Sequence, residues 1–267
     1  MSAHDQLLVV IDPVARRSDG ESVRIAKDVL CGGSEAKICL PEGPEDFARA
    51  LARRGSRRPV VIGDDRALLR AVALLHRDRW LGDGALALVP VGTAVELAHS
   101  LGVPRGPVAA ARAVLDGAVR RLDLLVDESD GVVLGDLSIP ALPHQAVAGA
   151  GLGSWRSLIR SVVRPDPVQS AAPHRLRVEA DGRILADLDR EVTEVTLRAA
   201  GGRAEVTVRP SGAGEPLTTK ALAVTVSGPD FRYRADTLIT GPVRTRTWTL
   251  RAGAWGLTLP AAVRGRG

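Results

Sequence analysis

The stretch LLVVIDP, residues 7–13, is a continuous apolar run that ends at an acidic residue and a proline. Similar apolar runs occur at PVVI (59–62) and ALALV (85–89), and AKICL (36–40) is predicted to be a further short strand. Uninterrupted runs of this length are typical of strands that are buried on both faces of a sheet. Segments with helical spacing of apolar residues lie between these runs. The pattern therefore predicts βαβ units and a mostly parallel sheet.

The second half of the chain has a different periodicity. From about residue 130 the segments are short, rich in Val, Thr and Leu, and often alternate in polarity, as in EVTVR (205–209). Turn dipeptides such as Asp181-Gly182 separate them, which is typical of an antiparallel sandwich. We therefore predict an α/β lobe over residues 1–128 and a β-sandwich lobe over residues 129–267. Residues 140–173 are predicted to be a loop or linker, and the last strand is a candidate to return to the first lobe.

Composition and charge exclude several classes of protein. The chain has 36 Lys and Arg against 31 Asp and Glu, and its arginines are scattered among acidic residues and not grouped in a basic block. With one Tyr, two Phe and four Trp there is little material for stacking bases, so a nucleic-acid partner is not expected. No apolar run approaches the roughly 18 residues of a membrane span, and the first residues lack a basic signal-peptide region. Cys31 and Cys39 cannot form a disulfide framework or a four-ligand zinc site. The chain is predicted to be cytoplasmic.

Three loops at the predicted carboxyl ends of the parallel strands carry the candidate functional residues. Ligands of open α/β sheets bind at these loops, where backbone N–H groups at helix N-termini favour anions. A phosphate group is therefore the expected ligand, although no loop matches a Walker or dinucleotide fingerprint. Asp64 and Thr93 have the alternative of serving only as helix N-caps, and the glycines of serving tight turns. The candidates are Asp12, Gly63, Asp64, Gly92 and Thr93.

In order and spacing, these loops resemble the motifs of the diacylglycerol kinase catalytic family, which includes sphingosine kinases and bacterial lipid kinases. That family has Asn-Pro after the first strand, Gly-Gly-Asp-Gly-Thr after the third and Pro-x-Gly-Thr-x-Asn-Asp-x-Ala-Arg after the fourth. The corresponding segments here are VVIDPVARRSDG (9–20), VVIGDDRALLRAV (60–72) and VPVGTAVELAHSLGVP (89–104). Near the end, FRYRADTLITGP (231–242) resembles the Asp-Gly-Glu hairpin of the family.

The resemblance implies an α/β lobe similar to that of diacylglycerol and NAD kinases. It implies ATP and Mg²⁺ as cofactors, with ATP bound around the five loop residues, and a lipid acceptor at the membrane surface. Asp236 corresponds to the aspartate of the Asp-Gly-Glu triplet, so its implied role is that of a general base beside the acceptor hydroxyl. No protein side chain is assigned as a metal ligand.

Several motif positions depart from the family pattern. The loop after the third strand has Ile62, Asp65 and Arg66 in place of Gly, Gly and Thr. The remaining departures are Val95, Glu96 and His99 for Asn, Asp and Arg, and Thr237 and Leu238 for Gly and Glu. Asp65 is expected to place a carboxylate where the family implies phosphates, and Arg66 to offset that charge only in part.

These departures leave two hypotheses of different classes. The first is an ATP-dependent kinase that phosphorylates a diacylglycerol or a related lipid hydroxyl, with weakened activity. The alternative is a catalytically degenerate pseudokinase that acts as a nucleotide-sensing or protein-interaction module with a protein partner. A third option is a soluble kinase acting on a non-lipid alcohol, since NAD kinases carry a similar glycine-rich loop. The sequence does not decide between an active and an inactive enzyme.

Overall fold

Four parallel strands form the centre of the N-terminal part in the computed structural model, which describes residues 6–141 and 173–261. They are β1 (Gln6–Ile11), β2 (Glu35–Cys39), β3 (Arg58–Gly63) and β4 (Ala85–Pro90), in the spatial order β2-β1-β3-β4. In β1, β3 and β4 all residues but the first are buried, whereas β2 lies at the edge of the sheet and is partly exposed. The parallel arrangement expected from the apolar runs is confirmed.

Six helices connect or follow these strands in the described N-terminal residues. They are α1 (Pro13–Ser18), α2 (Gly20–Gly33), α3 (Pro44–Ala52), α4 (Asp65–Arg77), α5 (Glu96–Ser100) and α6 (Pro107–Asp116). Helix α2 packs against α6, and α3 packs against α4. Helix α1 was not predicted, because its sequence PVARRS has no apolar stripe; it forms because Asp12 caps it and Pro13 favours its first turn. Helix α5 begins at Glu96, three residues after Thr93, where the sequence predicts its start.

The remaining described strands belong to the second part of the fold and pair antiparallel to one another. They are β5 (Ala118–Asp127), β6 (Val132–Val133), β7 (Asp136–Ile139), β8 (His174–Arg175), β9 (Arg177–Ala180), β10 (Arg183–Ala186), β11 (Glu191–Ala200), β12 (Arg203–Pro210), β13 (Leu217–Ala221), β14 (Ala223–Ala235) and β15 (Leu238–Leu259). Alternating burial in β11 and β12 matches the alternating polarity of their sequences. The predicted boundary between residues 128 and 129 falls directly after β5.

Strand β15 connects the two parts of the molecule. Its first half pairs with β14, its second half from Trp248 to Leu259 pairs with β5, and Gly256 and Leu257 also pair in parallel with β4. The sequence predicts two separate strands here, over residues 245–250 and 256–259. They are one strand because the register shift between Arg251 and Trp255 is absorbed as a bulge, with Gly253 at a φ of +54°.

Hydrogen bonding runs continuously along the sheet from β13 through β15 to β2, so both parts share one mixed sheet. Two apolar cores lie along it, one around the parallel strands and one among the antiparallel strands. Strand β15 contributes Trp255 to the first core and Trp248 to the second. Parallel strands followed by antiparallel strands are confirmed, while the β-sandwich stays a prediction. Most of the predicted linker 140–173 lies outside the described residues.

Candidate functional site

The order of the parallel strands creates a crevice at the carboxyl ends of β1 and β3. The chain passes from β1 to β2 on one side and places β3 and β4 on the other, so the strand order reverses at β1. A crevice at such a reversal is where open α/β sheets bind ligands. The loops at residues 12–13, 63–65 and 91–95 all follow strands at this edge. The predicted cofactor-binding residues are thus assembled by the topology of the sheet.

Asp12 is buried and both of its carboxylate oxygens are engaged. Its Oδ1 accepts a hydrogen bond from Val14 N at 2.7 Å, which caps α1, and its Oδ2 accepts one from the Arg70 guanidinium at 3.0 Å. Arg70 also lies over the Phe47 ring, with 5.5 Å between the guanidinium carbon and the ring centroid. Asp12 therefore ties the loop after β1 to the middle of α4. Its carboxylate has its hydrogen-bonding needs met within the protein.

Gly63 and Asp64 connect β3 to α4. Asp64 caps α4 through its Oδ1, which accepts from Ala67 N at 3.0 Å, so the capping role foreseen for this residue is present. Its Oδ2 accepts no hydrogen bond from residues 6–141 or 173–261. Gly63 is required for close packing, because a Cβ there would lie 2.6 Å from the Ala67 Cβ and 3.0 Å from the Asp12 Cβ. No side chain fits at position 63 without moving one of these elements.

The loop after β4 presents unpaired backbone donors. The N–H groups of Gly92, Thr93 and Ala94 donate to no acceptor in the described part of the chain, although Val91 N and Val95 N on either side are bonded. Gly92 has a φ of +124°, which favours glycine. Thr93 is exposed and does not cap α5, whose N-cap is Val95, so its alternative role as a cap is wrong. Three adjacent free N–H groups suit an anion such as a phosphate.

The expectation for Asp65 is wrong. Its carboxylate points into the protein, where it is 1% exposed and accepts from Leu97 N and Ala98 N at 3.0 and 2.9 Å. Burial raises the pKa of Asp65, and the two backbone N–H donors oppose that shift. The residue thus bonds the first turn of α5 to α4. Its negative charge is directed away from the surface where phosphates are expected.

Asp236 occupies the turn between β14 and β15 and is also buried, at 4% exposure. Its Oδ2 accepts from Leu134 N at 2.8 Å, and its Oδ1 from Gly135 N at 2.7 Å and Asp136 N at 3.2 Å. The φ of +51° places it in the left-handed region, which Asp tolerates better than most residues. Burial raises the pKa of the Asp236 carboxyl to about 6, against the lowering effect of the three N–H donors. The group therefore titrates close to neutral pH.

A cleft of about 400 Å³ lies between α4 and the antiparallel strands. Its walls are formed by α4, the β5–β6 connection and the β14–β15 hairpin. The lining residues are Arg66, Leu69, Arg70, Ala73, Asp127, Gly131, Val132, Val133, Tyr233, Ala235, Leu238, Thr240 and Trp248. Ala235 and Leu238 are close to Asp236 in sequence, but Asp236 itself does not line the cleft. The larger part of this lining is apolar.

The structure brings four of the six predicted site residues together and leaves Thr93 and Asp236 outside this group. Gly63 packs on Asp12, and a Cβ on Gly92 would lie 3.4 Å from the Asp64 Cβ, so these four form one group. Asp236 joins this group indirectly through Gly135, where a Cβ would lie 2.9 Å from Leu97 of α5 and 3.0 Å from Asp236 Oδ1. Thr93 lies on the exposed rim. Asp236 thus lies close to α5, the helix that follows the loop at residues 91–95.

Sequence analysis did not identify Arg70, Asp127, Tyr233 and Trp248 as residues of the site. Tyr233, the one tyrosine of the chain, packs edge-on against Trp248 with 5.2 Å between ring centroids. Burial raises the pKa of its hydroxyl. The four-residue spacing of Arg66 and Arg70 on α4 was the available signal, because residues i and i+4 share a helix face. For the other three no local pattern distinguishes a cleft position from a core position.

The residues fit ATP better than they fit a free metal ion. The free N–H groups at 92–94 can donate hydrogen bonds to phosphate oxygens, and Asp64 Oδ2 has spare capacity as a ligand. No group of three or more His, Cys, Asp or Glu side chains in residues 6–141 and 173–261 could hold a metal ion. Mg²⁺ commonly binds through one or two carboxylates together with substrate phosphates and water. Asp64 can supply such a carboxylate.

The raised pKa of Asp236 predicts how stability depends on pH. Because the folded protein holds this proton more tightly than the unfolded chain does, the free energy of unfolding falls as pH rises from the ordinary value of 3.8 to about 6. The size of this contribution is roughly 3 kcal/mol, at about 1.4 kcal/mol per pKa unit. Denaturant unfolding of wild type and Asp236→Asn from pH 4 to 7 measures it. The free energy of unfolding of the wild type minus that of Asp236→Asn should fall by roughly 2–3 kcal/mol from pH 4 to pH 7 if this group is responsible, and should be independent of pH if it is not.

Comparison with known proteins shows what the chain resembles. Residues 6–126 match the model of the diacylglycerol kinase catalytic domain. No curated protein matches the chain at a significant level. None of the helices in the described ranges has the length and hydropathy needed to cross a membrane.

Three solved structures from Bacillus anthracis str. Sterne share the fold. Their TM-scores are 0.72, 0.71 and 0.71, at 13%, 15% and 13% sequence identity. Each alignment covers 97% of this chain and 98% of the other. The first two are described as provisionally assigned diacylglycerol kinases and the third as a diacylglycerol kinase. At these identities the likeness is one of fold, and it extends over both parts of the molecule.

Proposed function

Because residues 6–126 match the diacylglycerol kinase catalytic domain and so confirm that resemblance, we propose that this protein is an ATP-dependent lipid kinase. Its substrate would be the hydroxyl of a diacylglycerol or a related lipid. The observation that carries the proposal is the arrangement of the site: loops with free N–H groups at the carboxyl edge of the sheet, beside a largely apolar cleft. A kinase for lipids needs both surfaces, one for phosphates and one for an apolar acceptor.

ATP would bind at the carboxyl edge of β1, β3 and β4. The N–H groups of Gly92, Thr93 and Ala94 would donate to phosphate oxygens, in the manner of other backbone anion sites. Gly63 keeps the loop after β3 close to Asp12, and Asp12 holds the loop after β1 against α4 through Arg70. Asp12 thus contributes to the nucleotide site as a positioning residue. The inward orientation of Asp65 supports the proposal, because it removes a carboxylate from the phosphate surface.

Mg²⁺ would be held by the phosphates and by Asp64 Oδ2. When bound, it neutralises charge on the transferred phosphoryl group and on the leaving oxygens. Phosphoryl transfer otherwise depends on positioning and on electrostatic stabilisation, which the protein provides through the loop N–H groups and the nearby guanidinium groups.

The lipid acceptor would lie in the cleft between α4 and the β14–β15 hairpin. Asp236 would take the proton from the acceptor hydroxyl while that oxygen bonds to the γ-phosphorus and the bond to the ADP oxygen breaks. A carboxylate whose pKa is raised to about 6 is a suitable base near neutral pH. The acceptor would come from a membrane, so we propose a cytoplasmic protein that acts at the membrane surface and has no nucleic-acid partner.

Binding of ATP·Mg is expected to raise the midpoint of thermal unfolding, because a ligand that binds only the folded state stabilises it. At a ligand concentration of about 100 times Kd the gain is about 2.7 kcal/mol. The shift should require Mg²⁺ and be absent with adenosine. The companion assay is transfer of labelled phosphate from ATP to vesicle-borne diacylglycerol, a sphingoid base and a glycerolipid alcohol. Absence of transfer to every acceptor, with the protein folded, would reject the kinase.

The pseudokinase hypothesis receives no support from the comparisons. One of the observations behind it was the expected position of the Asp65 charge, and that position is wrong. The departures at Val95 and Leu238 remain, and their effect is a matter for the transfer assay. We therefore retain the kinase as the function that the geometry supports best.

A further inference from the structure

The tip of the β14–β15 hairpin exposes two neighbouring apolar side chains. Leu238 is 51% exposed and Ile239 is 63% exposed, the largest value for a large hydrophobic side chain in the described residues. No other two exposed large hydrophobic side chains in residues 6–141 and 173–261 are adjacent in sequence. Thr237 and Thr240 on either side are exposed as well, so the tip presents only uncharged side chains to solvent. Turns are normally polar, and a contiguous exposed apolar patch marks an interaction surface.

The pairing of the two strands shows that this tip projects from the body of the protein. Ala235 pairs with Leu238, and both line the cleft. Because successive side chains of a strand point to opposite faces, Ile239 lies on the other face, where it pairs with Arg234. Arg234 is only 8% exposed, so the covered part of this face ends at the pair. The tip therefore borders the cleft on one face and solvent on the other.

The turn beneath the tip is anchored by hydrogen bonds. The Asp236 N–H group donates to the Asp136 carbonyl at 2.8 Å, and the Asp236 carboxylate accepts from the three N–H groups of residues 134–136. The Arg234 guanidinium donates to the Asp236 carbonyl at 2.6 Å. These bonds hold the exposed pair at a fixed place beside the mouth of the cleft.

Positive charge lies beside the apolar tip. Arg66 lines the same cleft as Leu238 and is exposed. Arg232, on the hairpin itself, is also exposed and donates to the Gly241 carbonyl at 3.3 Å. Neither guanidinium forms an ion pair within the described parts of the chain, whose full sequence has a net charge of +5. Arginines next to exposed apolar side chains suit an anionic membrane, because the leaflet charge attracts them while the apolar groups enter the acyl boundary.

We propose that the hairpin tip inserts Leu238 and Ile239 into the surface of an anionic membrane and so places the mouth of the cleft at the lipid. The inference rests on the proposed function and identifies the surface on which the protein acts. Arg66 and Arg232 lie at the level of the headgroup phosphates. A lipid acceptor then reaches the cleft along the face that carries Leu238, without crossing water.

Sedimentation with vesicles tests the docking without nucleotide or turnover. The vesicles contain phosphatidylcholine with phosphatidylglycerol, or phosphatidylcholine alone, and we expect much stronger binding to the anionic ones. Ile239→Ser should weaken binding to them about tenfold, which corresponds to about 1.4 kcal/mol. Burying an aliphatic side chain contributes about 1.5–3 kcal/mol, so an effect of this size is reasonable for a side chain that is 63% exposed. Ile239→Trp should keep the binding and become quenched by lipids with brominated acyl chains.

Ile184→Ser is the matched control. Ile184 is 46% exposed and lies on β10, which pairs with β9. Strand β9 pairs with β14 at residues 224–227, roughly 30 Å along the strand from the turn. The control should bind vesicles like the wild type. Equal binding by Ile239→Ser and wild type, or an equal loss in Ile184→Ser, would overturn the inference. Self-association that is lost in Ile239→Ser, without any binding to vesicles, would also overturn it and assign the tip to a protein contact.

Activity assays separate this inference from the kinase itself. With dihexanoylglycerol dissolved as a monomer, Ile239→Ser should transfer phosphate as fast as the wild type, because Ile239 does not line the cleft. With diacylglycerol in dilute anionic vesicles its rate should fall about tenfold. Equal losses with both acceptors would overturn the docking role. Absence of transfer to either acceptor by the wild type, with vesicle binding as expected, would reject the kinase and leave the docking surface standing.

Discussion

Replacing Asp236 by asparagine is expected to lower kcat by about a hundredfold or more, because general-base catalysis typically contributes about 10²–10⁴-fold. Asparagine keeps the size of the side chain and one acceptor oxygen for the turn. It cannot take a proton from the acceptor hydroxyl. The measurement is steady-state transfer of labelled phosphate at saturating ATP·Mg and lipid, at a temperature where the variant is fully folded.

The pH profile separates a base from a structural residue. In the wild type, kcat/KM should rise with pH up to about 6, where the Asp236 carboxyl ionises, and then level off. In Asp236→Asn this rise of kcat/KM with pH should disappear. Asparagine also turns an N–H group toward one backbone N–H donor of the 134–136 loop, so a loss of about 1–2 kcal/mol in stability is expected in addition.

Asp230→Asn is the control for this substitution. Asp230 lies on the same strand, β14, but it is exposed and pairs only with Arg244 at 2.8 Å on the surface. The variant should keep both its kcat and its pH profile. Asp236→Asn could lose stability but keep kcat within about threefold and keep the rise of kcat/KM with pH. Asp236 would then be a structural residue of the turn and not the general base.

Replacing Gly63 by alanine is expected to lower the free energy of unfolding by about 2–3 kcal/mol, because overpacking a dense site costs about 1–3 kcal/mol. The added Cβ would lie 2.6 Å from the Ala67 Cβ and 3.0 Å from the Asp12 Cβ, and these atoms belong to α4 and to the loop after β1. Relief of the clash has to move one of these elements. We therefore also expect the ATP·Mg shift in thermal unfolding to shrink, since both elements border the nucleotide site.

A double-mutant cycle shows whether the close contact with the Ala67 Cβ causes the loss of stability in Gly63→Ala. Ala67→Gly alone should cost about 1 kcal/mol through helix propensity. The double variant Gly63→Ala/Ala67→Gly lacks the close contact between the Cβ atoms of residues 63 and 67. Its loss in the free energy of unfolding should therefore be smaller than the sum of the two single losses by about 1 kcal/mol. Additive losses would contradict the packing argument. Gly32→Ala is the control, because nothing lies within 4 Å of a Cβ there, and helical alanine should stabilise by about 0.5–1 kcal/mol.

Much of the N-terminal fold could be predicted because its determinants are local. The buried strands appear in the sequence as unbroken apolar runs, and the residues after them, Asp12 and Asp64, are side chains that cap the following helices. Since the carboxyl ends of parallel strands meet at one edge, these loops could be expected to converge. The same reasoning located Gly63 and Gly92 beside them. The diacylglycerol kinase resemblance identified the order of the motifs and the hairpin that carries Asp236.

Other features depend on contacts between residues that are distant in sequence. Arg70 and Asp12 are 58 positions apart, and no pattern around either residue indicates their pairing. Asp65 appeared to oppose phosphate binding because its direction could not be derived from its neighbours. Its carboxylate turns inward because the N–H groups of Leu97 and Ala98 at the start of α5 lie within hydrogen-bond distance. The cleft itself exists only where α4 meets strands from the other part of the chain.

By itself the sequence determined the succession of parallel and antiparallel strands and the loops at which a phosphate would bind, since periodicity, capping and turn preferences act over a few residues. Tertiary structure alone decided which charges remain available at the site. It buried Asp65 and Asp236 and paired Asp12 with Arg70. The physical reason is that the availability of a charged group depends on desolvation and on the donors and acceptors around it, and these come from distant parts of the chain.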